Sequence, residues 1–265
     1  MFASLAKHGR IFLVELKNNW VREVIYRSNF ITAALVDLVW IIVEATLFNV
    51  LYSHVQTVAG WTLHQTYFFL GVFFASDALF TLFFSRNFWT FTDYVAKGEF
   101  DILLIKPANA LFLATTRAMN LTAGFNVILG FIIMFRFGHQ AGFAGGVAWL
   151  HVFGWLLIGL MSQFLLRLFF MVWVFWTDRG FSLALMYYKL FELATKPDLL
   201  YPYMVRFIIL TIIPFGFIGS VPARAILQGL TPGEYFRVFG VLVALALVNM
   251  RLWKRGMLRY QSASS

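Results

Sequence analysis

The feature that most constrains this chain is the length of its apolar runs. Residues 29–52 read NFITAALVDLVWIIVEATLFNVLY, broken only by Asp37 and Glu44 among the ionisable types. As a helix rising about 1.5 Å per residue this run is roughly 36 Å long, enough to cross a hydrocarbon core of about 30 Å with some tilt. Comparable stretches occupy about 63–85, 111–135, 147–175, 206–220 and 235–251. Six such segments leave no room for a separate soluble domain. Composition agrees: 61% of residues are apolar and 12% charged, with a mean hydropathy of +0.77, whereas soluble domains are near half apolar and a quarter charged. The expected fold is an all-α integral membrane protein, one transmembrane domain over residues 1–265 with six transmembrane helices.

The fourth stretch is long enough to continue past the bilayer. The fifth is short and contains Pro214, with Pro222 just beyond, which reads as a kinked or partly re-entrant element. Residues 178–198 are open to two readings, an inner-surface helix or a cytoplasmic extension joining the fourth and fifth spans. Residues 221–234 form the longest external piece and suit a short helix at the outer headgroups. Ahead of the first span, residues 4–27 alternate Leu5, Leu13, Leu16, Trp20 and Val24 with basic residues at helical spacing. This pattern gives an interfacial N-terminal helix over residues 1–28. The charges at Lys7, Arg10, Glu15, Lys17, Arg22, Glu23 and Arg27 leave no apolar h-region, so a cleaved signal peptide is not expected.

Basic residues set the orientation. With the N-terminus inside, seventeen Lys and Arg fall in cytoplasmic segments and only Arg136, Arg224 and Arg237 outside. The positive-inside rule then places both termini in the cytoplasm. The net charge of +9 is dispersed beside hydrophobic segments, which suits membrane lipids and not nucleic acid. The absence of cysteine excludes disulfides and thiolate chemistry.

Searches for catalytic chemistry find no GxxxxGK[ST] phosphate loop, no HExxH and no GxSxG. His54, His64, His139 and His151 are scattered near the outer face, as interfacial polar residues commonly are. No catalytic residue, metal or cofactor is assigned. Four ionisable residues fall inside spans: Asp37 and Glu44 in the first, Asp77 in the second and Arg167 in the fourth. Each needs a partner or water at that depth. The expectation is that Arg167 neutralises Asp37 or Asp77, either as a structural ion pair or along a substrate or proton path. Glu44 has no evident partner and is the better candidate for substrate contact.

The most specific signal lies between the second and third spans, at residues 86–110, RNFWTFTDYVAKGEFDILLIKPANA. Residues 87–97 suit about three helical turns with Phe88, Trp89 or Phe91, and Val95 on one side. Asp93 and Lys97 stand four apart in the favourable acid-to-base order. Gly98 supplies a C-terminal stop and Pro107 ends regular structure before the third span. A short helix lying along the inner membrane surface here can seat its aromatic residues in a groove of a cytoplasmic partner.

These residues resemble the permease subunit of type-two ATP-binding-cassette (ABC) exporters. The run Lys97-Gly98-Glu99-Phe100-Asp101-Ile102-Leu103-Leu104-Ile105-Lys106-Pro107-Ala108-Asn109-Ala110-Leu111-Phe112 is similar to the KG.hD..LlkP.n.lf signature of one bacterial subgroup. Ile213-Pro214-Phe215, Pro222 and the terminal Trp253, Gly256, Leu258 and Tyr260 also match its pattern, although the QSASS tail lacks a glycine common in the subgroup. The resemblance implies a permease of the inner membrane that pairs with a second permease chain, identical or related, and with two ABC ATPase subunits that bind ATP and Mg2+. It makes 86–110 a cytoplasmic coupling segment, with Arg86, Phe88, Trp89, Phe91, Asp93, Lys97, Gly98 and Asp101 as coupling residues. The apolar spans favour an amphipathic or hydrophobic cargo: a drug, a lipid-linked compound or an organic cation. Two other classes stay open. A secondary transporter would use Asp37, Glu44 and Asp77 as proton or ion sites, and a lipid-modifying enzyme would need a nucleophile or metal cluster not found here.

Overall fold

A computed structural model describes residues 2–25, 27–143, 145–177 and 180–260. The Asp178–Arg179 step and the 261–265 tail lie outside the described residues, as do the side chains of Arg22, Glu23 and Arg27. Among the described residues the secondary structure is helical, with one isolated bridge between Val58 and Trp61. In chain order the helices are α1 (Phe2–Ile25), α2 (Arg27–Tyr52), α3 (Leu63–Phe80), α4 (Arg86–Ala96), α5 (Asp101–Leu104), α6 (Ala110–Thr116), α7 (Ala123–Ala141), α8 (Ala148–Val172), α9 (Gly180–Phe191), α10 (Tyr203–Phe207), α11 (Ser220–Leu227) and α12 (Pro232–Arg259).

Four helical runs are long and apolar enough to cross a membrane: Ala34–Tyr52, Leu63–Val95, Ala148–Phe175 and Pro232–Arg259. α3 is apolar on every side and sits at the centre, with Phe68, Phe69, Val72 and Phe73 buried. It packs most closely on α7 because small residues let the backbones meet. A Cβ on Gly71 would lie 2.8 Å from Met134 Cγ, and one on Gly130 would lie 2.7 Å from the Ala75 nitrogen. Residues at local ends explain where helices start. Thr62 and Gln65 cap α3 reciprocally, and Thr231 with Glu234 and Pro232 does the same for α12. α2 and α12 are apolar but little covered by the chain itself, with 11% and 17% of their apolar windows buried.

Three departures from the sequence reading have physical causes. The second span does not stop at residue 85. It runs through a π-helical turn at Thr81–Ser85 directly into α4, making one helix of 33 residues, Leu63–Val95. At about 1.5 Å per residue that is roughly 50 Å, so α4 is the projecting end of a span and not a separate helix along the surface. The third apolar stretch is not one helix either, since residues 117–122 separate α6 from α7.

The third departure concerns residues 178–220. α9 starts where Gly180 abuts Thr92 of α4, runs back beside α8 through a Phe170–Tyr187 ring contact, and reaches Phe73 of α3 through Phe191. By Lys196 the chain has arrived at Glu44, about 12 Å from the Tyr52 end of α2. Residues 180–196 therefore traverse the bundle instead of lying on one face. The proline-containing stretch expected as a fifth span is a hairpin: α10 and a π-helical turn (Ile208–Ile212) lead inward, and α11 leads back. Its tip is held by the Ser162 hydroxyl, which donates to the Pro214 carbonyl at 3.1 Å. Its base is tied by Asp198, which is fully buried, accepts from Ser220 and Arg206 (2.8 Å) and lies 3.9 Å from Arg224. Arg224 also pairs with Glu234 at 3.1 Å, fixing the hairpin to α12.

Candidate functional site

The first candidate site is the segment from α4 to α6. α4 ends at Ala96, and Gly98 takes φ +72°, a conformation costly to residues with a Cβ. The Gly98 N–H returns to the Val95 carbonyl (3.3 Å) and the Phe100 N–H to that of Tyr94 (3.1 Å). This turn drives Phe100 into an aromatic cluster. Phe91 meets Phe100 at 5.3 Å and Phe175 at 5.7 Å, and Phe100 meets Trp253 at 6.1 Å and Tyr260 at 5.3 Å. The cluster ties the insert to the ends of α8 and α12. It accounts for the spacing of the terminal aromatics: Gly256 leaves just enough room for the Phe175 ring, 2.3 Å from where a Cβ would stand. Burial, and then the nearby Asp101 carboxylate, hold the Tyr260 phenol above its ordinary value.

This arrangement redistributes the coupling residues. Phe88 and Phe91, expected to face a partner, are 3% and 0% exposed and serve the chain's own core. Trp89 is half-buried, stacked on Tyr188 with ring centroids 5.3 Å apart. Arg86, Asp93 and Lys97 are exposed and Asp101 is partly so. No salt bridge joins Asp93 to Lys97, the residue that caps α4. The sequence reading gave no role to Ile102, Leu104 and Ile105, which are exposed apolar residues beside Gly98.

A second set of residues links this segment to the spans. Asn87 is 3% exposed and reaches across to the break between α6 and α7. Its Nδ2 donates to the Ala118 carbonyl at 2.7 Å, and its Oδ1 accepts the Ala118 N–H at 2.7 Å. The same Nδ2 lies 3.4 Å from the Phe83 and Phe84 carbonyls in the π-turn. From α1, Asn19 donates to the Arg117 carbonyl (3.2 Å) and accepts the Met119 N–H (3.2 Å). The Asn120 N–H goes to the Leu82 carbonyl at 2.9 Å. Backbone groups freed by the break are thus satisfied by two remote amides, as buried backbone requires. α1 is further docked by Lys7 on the Pro107 carbonyl and by His8, which accepts the Asn109 N–H at 3.3 Å.

The intramembrane ionisable residues are arranged differently from the expectation. Arg167, 3% exposed, forms no ion pair with Asp37 or Asp77. Its Nη2 donates to the Tyr188 hydroxyl at 2.8 Å, and its guanidinium lies 4.3 Å, 4.4 Å and 5.3 Å from the ring centres of Tyr187, Tyr188 and Trp89. A planar, weakly hydrated cation suits such stacking. Asp77 accepts from Gln163 Nε2 and Asp37 from Asn126 Nδ2, each at 2.6 Å. Glu44 does have a partner: Lys196 at 3.0 Å, from 152 residues away in sequence. Asp37, Asp77 and Asn126 face one cavity of about 330 Å³ among α2, α3, α7 and α9. Among the described residues no group of three or more His, Cys, Asp or Glu side chains is placed to hold a metal.

Residues 38–264 match the family model described as ABC-2 family transporter protein. The chain belongs to the ABC-2 transporter family. The match runs from within α2 to the end of α12 and makes this all-α membrane protein an ABC-2 permease, a membrane subunit of a type that partners ABC ATPases. No curated protein and no solved structure matches the permease.

Proposed function

We propose that this permease forms the translocation path of an ATP-driven exporter and is worked by two separate ATPase subunits, which supply the ATP and Mg2+ chemistry, alongside a second permease chain. The observation that carries the reading is the clamped insert: α4 prolongs the central α3, and its aromatic cluster grips the ends of α8 and α12. A load applied there reaches three long helices at once. The docking surface is assigned to exposed groups around the Gly98 turn, namely Arg86, Asp93, Lys97, Ile102 and Ile105 with the exposed edge of Trp89. Phe88, Phe91, Gly98 and Asp101 shape that surface from within.

In this reading α2, α3, α7, α8, α9 and α12 are the six membrane crossings, and α10–α11 is a re-entrant hairpin on the outer side. Placing Lys196 and Arg206 outside and Lys189 within α9 changes the basic-residue balance to fourteen inside against five outside, which still sets both termini in the cytoplasm of a bacterial inner-membrane protein. The sparsely covered α2 and α12 face lipid or the second permease. The cargo is amphipathic or hydrophobic.

The test is co-purification of an ATPase subunit with the permease, followed by transport in proteoliposomes. Replacing Asp93, Lys97, Ile102 and Ile105 together by serine should abolish both co-purification and ATP-dependent transport. Undiminished ATP-dependent transport by that variant overturns the docking assignment. ATP hydrolysis by the purified permease alone overturns the division of labour.

A further inference from the structure

We propose that the cavity among α2, α3, α7 and α9 binds a monovalent organic cation with an apolar body, of the quaternary-ammonium type. Its volume of about 330 Å³ is in the range of small-molecule pockets. Trp40, Phe73 and Tyr188 line it together with Asp37, Asp77 and Asn126. Both acids are solvated by neutral amides only, Asn126 and Gln163, and no Lys or Arg side chain lines the space. The Oδ1 of Asn126 is buried without a partner, adding a further acceptor.

Acids close to the cavity do carry lysine partners. Glu44 has Lys196, and Glu192 at the cavity rim has Lys189 at 3.0 Å. Arg167 makes no salt bridge to either acid and is instead bonded to the Tyr188 hydroxyl and packed between rings. Two carboxylates without an ion-pair partner at bilayer depth are costly until a cation arrives. The aromatic walls choose among cations. A metal ion such as Ca2+ needs six or more oxygens around it, and a proton needs no cavity, whereas a greasy cation gains from carboxylates and ring faces together.

As cargo this ligand rests on the exporter reading; its binding is measured without that reading. The probe is radiolabelled benzyltrimethylammonium, equilibrated by dialysis against the full-length permease in nanodiscs, with empty nanodiscs as blank. Saturable binding is expected, displaced by unlabelled probe but not by its neutral carbon isostere neopentylbenzene. Asp37→Asn and Asp77→Asn should each raise Kd about tenfold, while Glu44→Gln leaves it within about twofold. If Asp77→Asn does not fold, Trp40→Leu, on a largely exposed side chain, should still weaken binding severalfold. No saturable binding, or a Kd unchanged in both Asp37→Asn and Trp40→Leu, overturns the site. Co-purification of the ATPase with no probe binding sinks the cavity assignment alone. Binding lost as described in a permease that captures no ATPase sinks the exporter reading and leaves the cavity assignment standing.

Discussion

Replacing Asn87 by leucine, close to it in shape, removes the amide that joins the π-turn of the second span to the break in the third. The Ala118 N–H and carbonyl, each bonded to Asn87 at 2.7 Å, would lose their partners where Asn87 itself is 3% exposed. An unsatisfied buried polar group costs about 1–3 kcal/mol, so the two together amount to roughly 2–6 kcal/mol. Against a typical stability of about 5–15 kcal/mol this is large. At about 2–4 °C per kcal/mol for a chain of this size, the melting temperature should fall by roughly 4 °C at the least. Tryptophan fluorescence in detergent follows the transition. Asn87→Asp, which keeps the acceptor and loses the donor, should fall between wild type and Asn87→Leu. A leucine variant melting within 1 °C of wild type would refute the argument that remote amides hold the broken span together.

Gly71→Leu and Gly130→Leu should each prevent stable folding, seen as loss of the monodisperse peak in size-exclusion chromatography, because the facing helix stands within 3.0 Å of the added Cβ. Gly124→Ala, with nothing within 4 Å, should elute as wild type. Lys196→Met should destabilise by about 1–3 kcal/mol in thermal melts, a discounted value because the lysine is 31% exposed, and adding Glu44→Gln should recover most of the loss. Arg167→Lys should cost about 1–2 kcal/mol and shift Trp89 emission, since an ammonium cannot stack on Tyr187, Tyr188 and Trp89 as the planar guanidinium does.

What the sequence made legible were features with local causes. Four of the six apolar runs became long helices, Gly98 ended α4 by its positive φ, and Pro107 parted the insert from α6. The break at 117–122 could not be read, because its residues include neither glycine nor proline and its stability comes from Asn19 and Asn87. The π-turn likewise has no local marker in TLFFS. α9 was missed as a traverse because Lys189, Glu192 and Lys196 dilute its hydropathy, and their neutralising contacts appear only on folding. The same non-local pairing hid the partner of Glu44. For Arg167 the acids drew attention, but its two tyrosines, about two turns into α9, carried no charge to suggest them. In the insert, an aromatic helix flanked by charges read as a face for another protein, whereas Phe88 and Phe91 belong to the chain's own interior.

The wide turn at Thr81–Ser85 holds one residue more than an α-helical turn would. Rewinding the same residues as ordinary α-helix would swivel everything beyond them by about 100°. Phe88 and Phe91 would then leave the aromatic cluster, and Asn87 would point away from Ala118. The wide turn is consequently what sets the facing of the whole projecting end, however freely its side chains vary.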